Sequence, residues 1–133
     1  MTSIRRTASL ALLLLVAACG SGLTAPGLTG EWGGPEANLT LRAAGGTVEY
    51  ACGEGTIDPS WTLGPGGQWQ ATGQHFTGGG PVPPSGRTPH PATYAGTLHG
   101  DELTFTATLT DLDQVLGPFT VTRGPFSNLN LCL

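Results

Sequence analysis

Histidine is the residue type in this chain best suited to bind a transition metal or to transfer a proton near neutral pH. The chain has three, His75, His90 and His99, which together with Asp58 or Asp101 could form a metal site. No two of these histidines stand at the i, i+2 or i, i+4 spacing that places two imidazoles on one face of a strand or helix. We therefore predict surface or loop histidines, and neither a metal nor another cofactor.

Other groups with catalytic potential are equally isolated. The segment Asp111–Asp113 matches the first three positions of a calcium loop, but the glycine at the sixth position and the glutamate at the twelfth are missing, so it is interpreted as a turn. Ser60, Ser85 and Ser127 lack the context of a nucleophile elbow. The sequence therefore predicts a protein without catalytic residues, which is not an enzyme.

Aromatic side chains are the remaining candidates for a binding site, because they could line a cavity for an apolar ligand. The set consists of Tyr50, Trp61, Trp69, Tyr94 and Phe105. The alternative is that these side chains simply fill the interior of a small barrel, since eight strands enclose a space just wide enough for side chains. Either role requires strands that bring distant residues to a common interior.

Short runs of alternating apolar and polar residues indicate where these strands lie. The best pair comprises residues 92–99 and 103–109, which flank a tight turn at Gly100-Asp101. Five further runs cover residues 38–42, 47–52, 61–63, 68–72 and 119–123. The first strand is predicted to begin at Gly30, and another short strand is predicted to end at Ile57. About eight strands at regular spacing predict an all-β domain, a small antiparallel meander that closes into a barrel, with a β-sandwich as the alternative.

One segment breaks this spacing. Residues 77–91 are rich in proline and glycine and are predicted to form a single long loop. Such loops in compact domains are often functional, so the segment is either a contact for a partner or a crossover on the surface.

The N-terminus has the layout of a secretory signal peptide, in which Arg5 and Arg6 precede an apolar run that ends at Cys19. The run is shorter than the roughly 20 apolar residues of a membrane span. Residues 16–19, Val-Ala-Ala-Cys, resemble the bacterial lipobox. This resemblance implies that Cys19 carries diacylglycerol, that cleavage falls just before it, and that the new amino group is often acylated, for example with palmitate. The alternative is a secreted protein whose cleavage site happens to hold a cysteine.

A lipidated Cys19 would divide the chain into a signal peptide (1–18), a lipidated cysteine with a flexible tether (19–27) and a single β-barrel domain (28–133). Two or more acyl chains hold a protein on a membrane stably, since each buried methylene contributes about 0.8 kcal/mol. The residue after the cysteine is Gly20 rather than the aspartate that retains lipoproteins at an inner membrane. The resemblance thus implies the outer membrane of a cell with two membranes, or the outer face of the plasma membrane of a cell with one.

Charge argues against nucleic acid as a partner. The chain has no lysine and a formal net charge of −4, which becomes −6 when Arg5 and Arg6 leave with the signal peptide. Phosphate binding draws on clustered lysine and arginine, which are lacking here.

With Cys19 assigned to lipid, Cys52 and Cys132 remain as an even pair in an oxidising compartment, and we predict a disulfide between them. The bond would close a loop of about 80 residues, for which the chain-entropy model gives roughly 4 kcal/mol. Two free thiols or a metal site are the alternative, but the chain has no C-x-x-C motif and no nearby histidine pair.

Gly30-Glu31-Trp32 resembles the G-x-W signature that opens lipocalin-like and other calycin barrels. In that family an arginine near the end of the last strand packs across the tryptophan at the closed end of the barrel, and Arg123 stands at the matching place. Its alternation with Phe119 and Val121 independently points it inward. The resemblance implies a structural stack of Arg123 on Trp32, with the guanidinium donors on backbone carbonyls.

The wider layout also looks like that of small lipoproteins of high-GC bacteria, a likeness that brings no activity with it, and of bacterial metalloprotease-inhibitor barrels. We therefore expect a lipid-anchored cell-envelope lipoprotein whose barrel is a non-catalytic binding or interaction module, with a small apolar ligand or an envelope protein as partner. The rival hypotheses are a carrier of a small apolar ligand inside the barrel and a protease inhibitor that acts through the tether or the long loop.

Overall fold

The structure, a computed structural model, describes residues 27–78, 82, 84 and 86–129. The strands in this part are β1 (Gly30–Gly33), β2 (Ala37–Arg42), β3 (Gly45–Tyr50), β4 (Gly53–Ile57), β5 (Thr62–Leu63), β6 (Gln68–Thr77), β7 (Pro89–His99), β8 (Glu102–Leu109) and β9 (Gln114–Arg123). A 3-10 turn, Pro65–Gly67, precedes β6. The predicted signal peptide, Cys19, the tether except Gly27, and Cys132 lie outside the described residues.

The strands form one antiparallel meander that closes on itself. Neighbours along the chain pair from β1 to β4 and from β5 to β9, and β1 pairs with β9. The second closing contact joins Gly53–Ile57 of β4 to Gly73–Thr77 of β6, whereas β5 pairs only with the start of β6. Eight strands therefore form the wall and β5 is a short addition to it, which confirms the predicted small barrel and excludes the sandwich.

Alternation along each strand separates the core from the outer surface, as β8 shows most clearly. Leu103, Phe105, Ala107 and Leu109 are buried, and the threonines between them are half-exposed. Because successive side chains of a strand point to opposite faces, a closed sheet buries every second residue in a common interior.

Trp32 and Arg123 close one end of the barrel. The Trp32 side chain is fully buried, and its Nε1 donates to the Leu28 carbonyl at 2.8 Å. The Arg123 Cζ lies 4.3 Å from the centroid of the Trp32 ring, and its Nη2 donates to the Gly27 carbonyl at 2.8 Å. Its Nε donates to Asp101 Oδ1 at 3.1 Å. The guanidinium thus joins the tryptophan, the incoming chain and the β7–β8 turn.

The two ends of the barrel are different. The chain enters at the end that Trp32 closes, which also carries the turns at residues 43–44 and 100–101. The opposite end, here called the mouth, carries the connections at residues 51–52 and 110–113, the end of β6 and the start of β7. The chain therefore enters the barrel at the end opposite the mouth.

Several boundaries differ from those that the sequence predicts. β6 continues to Thr77 and β7 begins at Pro89, so the long loop spans residues 78–88 instead of 77–91. Strand β6 continues through Gly73. A Cβ at this position would collide with the Thr56 carbonyl oxygen of β4, so the close pairing of the two strands requires glycine. The strand predicted at residues 61–63 is reduced to Thr62–Leu63.

Beyond β9 the chain turns back over the outside of β1 and β2. The backbone nitrogen of Gly124 donates to the Glu31 carbonyl at 3.0 Å. The buried Asn38 amide then donates to the Ser127 carbonyl at 2.8 Å and accepts from the Ser127 nitrogen at 3.0 Å. This paired bond mimics a strand ladder and covers the outer face of β2.

Cys52, at the β3–β4 turn of the mouth, is disulfide-bonded. The described part of the tail, which ends at Leu129, passes over β2 beside the strand that leads to this turn. The pairing of Cys52 with Cys132 stays a prediction.

Replacement of Arg123 tests its role at the closed end. Arg123→Ala should lower the free energy of unfolding by about 2 to 3 kcal/mol, since it removes a cation–π contact and charge-assisted hydrogen bonds. Arg123→Lys should recover only a minor part, because an ammonium group lacks the planar fork of donors. The measurement is urea denaturation of the purified protein under non-reducing conditions. Arg42→Ala, at an exposed arginine of β2, is the matched control; an equal loss in both alanine variants would contradict the assignment.

Candidate functional site

A cavity of about 540 Å³ lies at the mouth, within the barrel wall. This volume is in the range of small-molecule sites, roughly 300 to 1,000 Å³. Its apolar wall is formed mainly by Leu109, Leu116, Pro118 and Phe119, and its polar groups belong to Tyr50, His75, Thr77, Gln114 and Glu36. The exposed side chains of Glu36 and Gln114 place the rim in contact with solvent.

The aromatic side chains of the interior fill the barrel next to this cavity. Trp69 stacks on Tyr94 with ring centroids 5.9 Å apart and meets Phe105 edge-on at 5.6 Å. Phe105 in turn contacts Phe119 at 5.5 Å, and Phe119 lines the cavity. Of the five aromatic residues predicted to line a ligand site, only Tyr50 lines this cavity; Trp69, Tyr94 and Phe105 fill the core, the alternative role that the sequence left open.

Trp61 is partly buried and packs against the core away from the mouth. Its Nε1 donates to the Arg42 carbonyl at 2.8 Å, next to the β2–β3 turn. That turn is at the closed end, so Trp61 does not reach the mouth. The reason is the shortness of β5, which leaves Trp61 outside the strand that was predicted to point it inward.

Tyr94 is held by the backbone of two strands. Its hydroxyl donates to the Thr56 carbonyl at 3.1 Å and lies 3.4 Å from the Gln74 carbonyl. Gly55 makes room for this contact, because a Cβ there would lie 2.5 Å from the hydroxyl oxygen. Burial raises the pKa of Tyr94 to about 12, so the group keeps its proton and holds β4 against β6.

Tyr50 and His75 are the buried polar residues of the cavity. Their side chains are 7% and 4% exposed, and their ring centroids are 5.4 Å apart. Neither the Tyr50 hydroxyl nor His75 Nδ1 forms a hydrogen bond of good geometry in the part of the chain that the structure describes, but the Tyr50 hydroxyl lies close to that of Tyr94, and this contact adds to the rise in the pKa of Tyr50. Each of the two atoms has less than 1 Å² of accessible surface, so neither faces the cavity. Such atoms are rare in proteins because the lost hydration costs about 1 to 3 kcal/mol. The indication of a ligand site is therefore the cavity itself, with its mainly apolar wall.

Burial keeps both groups uncharged. It raises the pKa of Tyr50 far above its ordinary value of 10, and the neighbouring Tyr94 adds to this rise. It lowers the pKa of His75 below 6.5, and the nearby His90 lowers it further. Both residues therefore contribute neutral rings to the wall of the cavity.

A histidine–carboxylate contact and an ion pair tie the connections around the mouth to the wall. His90 Nδ1 and Asp111 Oδ2 are 2.7 Å apart and join β7 to the β8–β9 turn. Arg87 Nη1 lies 3.4 Å from Glu54 Oε1 and joins the 78–88 loop to β4. His90 therefore lies beside the cavity rather than on an unrelated surface, whereas His99 is exposed at the other end of β7.

A second depression, of about 460 Å³, lies on the outside of the sheet. Its lining includes exposed threonine and glutamine side chains such as Thr62 and Gln70. None of the described residues form a cluster of three or more histidine, cysteine or acidic side chains suited to a metal ion. Nor does any described helix have the length and hydropathy of a membrane span.

Sequence reasoning treated His75 as a surface residue, although a signal for its burial is present. Trp69, Ala71, Gly73 and His75 continue one inward-facing alternation along β6. The prediction ended this strand at Thr72, before the glycine, and so lost the register. Leu116 was missed for a related reason: a bulge between Phe105 and Ala107 shifts the β8–β9 register and hides the alternation.

Comparison of the chain with models of protein families, with curated proteins and with solved structures finds no match.

Removal of one hydroxyl at a time separates the two buried tyrosines. Tyr50→Phe should leave the free energy of unfolding unchanged or raise it by about 1 kcal/mol, because it deletes a buried hydroxyl that forms no hydrogen bond of good geometry. Tyr94→Phe, the matched control, should lower it by about 1 kcal/mol, since it breaks the bond to Thr56. Urea denaturation midpoints of the two variants give the measurement. A loss in Tyr50→Phe as large as that in Tyr94→Phe would mean that the Tyr50 hydroxyl is satisfied in the protein.

Proposed function

We propose that this protein is a lipid-anchored binding protein of the cell envelope, and that its mouth cavity holds a small, mainly apolar ligand. The observation that supports this most strongly is the cavity of about 540 Å³ at the mouth, whose lining includes the deeply buried residues Tyr50 and His75. Leu116 and Phe119 offer apolar surface next to them. A mostly apolar wall with a few polar groups is typical of sites that orient a small molecule.

The anchor is the part of the proposal that comes from the sequence. The lipobox-like residues 16–19 support lipidation of Cys19, and the chain enters the barrel at the closed end. A tether of residues 19–27 would then join the membrane to the end that lies farthest from the mouth. The cavity would open away from the point of attachment, where an envelope ligand could reach it from the aqueous side.

Lipidation at Cys19 predicts a defined mass. The protein extracted from membranes should consist of residues 19–133 plus a diacylglycerol group, with or without a further acyl chain, in intact-mass analysis. Cys19→Ser should abolish incorporation of a labelled fatty acid, because serine offers no thiol for the thioether. Cys132→Ser, which keeps Cys19, should still incorporate the label. An exported wild-type chain with an unmodified sulfur at Cys19 would refute the anchor.

A matched pair of tryptophan substitutions tests the cavity. Leu116 lines it, whereas the adjacent Val115 is 61% exposed on the outer face of β9. Leu116→Trp should place an indole in the cavity, obstruct it and weaken binding of the neutral fluorescent probe N-phenyl-1-naphthylamine at least tenfold. Val115→Trp should change it less than twofold. Fluorescence titration of the lipidated protein in nanodiscs, with empty nanodiscs subtracted, gives the affinities. Failure of the wild-type protein to bind the probe, or equal affinities in both variants, would contradict a cavity that takes small apolar molecules.

A further inference from the structure

We propose, building on the binding function above, that the ligand is a cationic amphiphile, whose apolar part fills the mouth cavity and whose ammonium-type group stays at the rim beside the carboxylate of Glu36. The mouth is then selective for organic cations over organic anions of the same length. The charged group keeps its contact with water, and only the apolar part of the ligand enters the barrel.

Glu36 is brought to the cavity by the bend between β1 and β2. β1 pairs with β9 only at Trp32 and Gly33, and the chain then bends through residues 34–36 into β2. Among the described strands, none pairs with residues 114–119 of β9 on this side. Glu36 is exposed to solvent and lines the cavity together with this half of β9. Its carboxylate therefore stands at the entrance.

The charge of Glu36 is available to a ligand. Among the described residues that line the cavity, Glu36 is the only aspartate, glutamate, lysine or arginine. It forms no ion pair with any other described residue. Asp113, in the neighbouring β8–β9 turn, is also exposed and without an ion pair in the described part of the chain, so the rim carries negative charge.

The basic side chains of the barrel do not offset this charge. Arg42 and Arg123 lie at the closed end, where they pair with Gly45 of β3 and Trp32 of β1 in the strand register. Arg87 lies 3.4 Å from Glu54, and the chain contains no lysine. An anionic head group at the rim would thus meet a carboxylate of like sign, whereas a cationic group would be attracted to it.

The apolar wall and the exposed carboxylate act on different parts of the ligand. Leu109, Leu116 and Phe119 offer apolar surface, which binds an apolar chain by removing it from water. A charged group is costly to bury without a partner, so the ammonium stays at the entrance. Because attraction to an exposed carboxylate is weak and is screened by salt, affinity comes mainly from the apolar part. Glu36 determines the sign of the charge that the site accepts.

The test compares ligands of equal chain length and different charge. Decylammonium, decanoate and 1-decanol are used to displace N-phenyl-1-naphthylamine from the lipidated protein in phosphatidylcholine nanodiscs at pH 7.5, after subtraction of empty nanodiscs. At an ionic strength of about 20 mM, where screening is weak, decylammonium should bind at least tenfold more tightly than decanoate. Glu36→Gln should weaken decylammonium binding about fivefold, which corresponds to roughly 1 kcal/mol, and should change decanol binding less than twofold. In about 0.5 M NaCl, the effect of Glu36→Gln should fall below twofold.

Glu102→Gln is the matched control, because Glu102 is an exposed glutamate at the closed end and its replacement changes the net charge equally. It should change decylammonium binding less than twofold. If the probe binds and Leu116→Trp blocks it, but the two glutamine variants weaken decylammonium equally or decanoate competes as well as decylammonium, the cavity is a binding site without this charge selectivity and the inference is overturned. If neither the probe nor any of the three ligands binds, the binding function fails as well.

Discussion

Closure of the barrel depends on a very short seam. β1 and β9 are paired through only two register positions, Trp32 with Arg123 and Gly33 with Thr122. The first pair is also the site where the guanidinium stacks on the indole, so side-chain contact supports a seam in which backbone pairing is sparse. Without it, β1 and β9 would both present open edges, which invite pairing with other chains. The closed end and the alignment of the mouth both depend on this contact.

The interior is filled unevenly, and this produces the site. Trp69, Tyr94 and Phe105 pack against one another and leave little space near the middle of the barrel. Towards the mouth, glycine replaces bulk along β4, and Tyr50 and His75 extend into an interior that is no longer filled. The protein therefore combines a closely packed aromatic core with a cavity at one end of the barrel.

The alternation of apolar and polar residues was sufficient to predict the class of fold, because a period of two specifies a strand and regular spacing specifies a meander. The G-x-W resemblance pointed to Trp32 and Arg123, since that contact joins two residues with distinct chemistry. The site was harder to predict. His75, which lines the cavity, comes two residues after Gly73. In the sequence this glycine suggests the end of a strand, whereas in the structure the close approach of β4 requires it. Whether Tyr50 or Trp69 faces a cavity depends on packing between strands that are distant in sequence.

The placement of the chain's point of entry has a practical meaning for any assembly that includes this barrel. Residues 27–30 reach the barrel at the end that Trp32 and Arg123 close, where the Gly27 carbonyl accepts a hydrogen bond from Arg123. Attachment to a bilayer, a resin or a fused domain through that segment would leave the rim unobstructed and oriented outward.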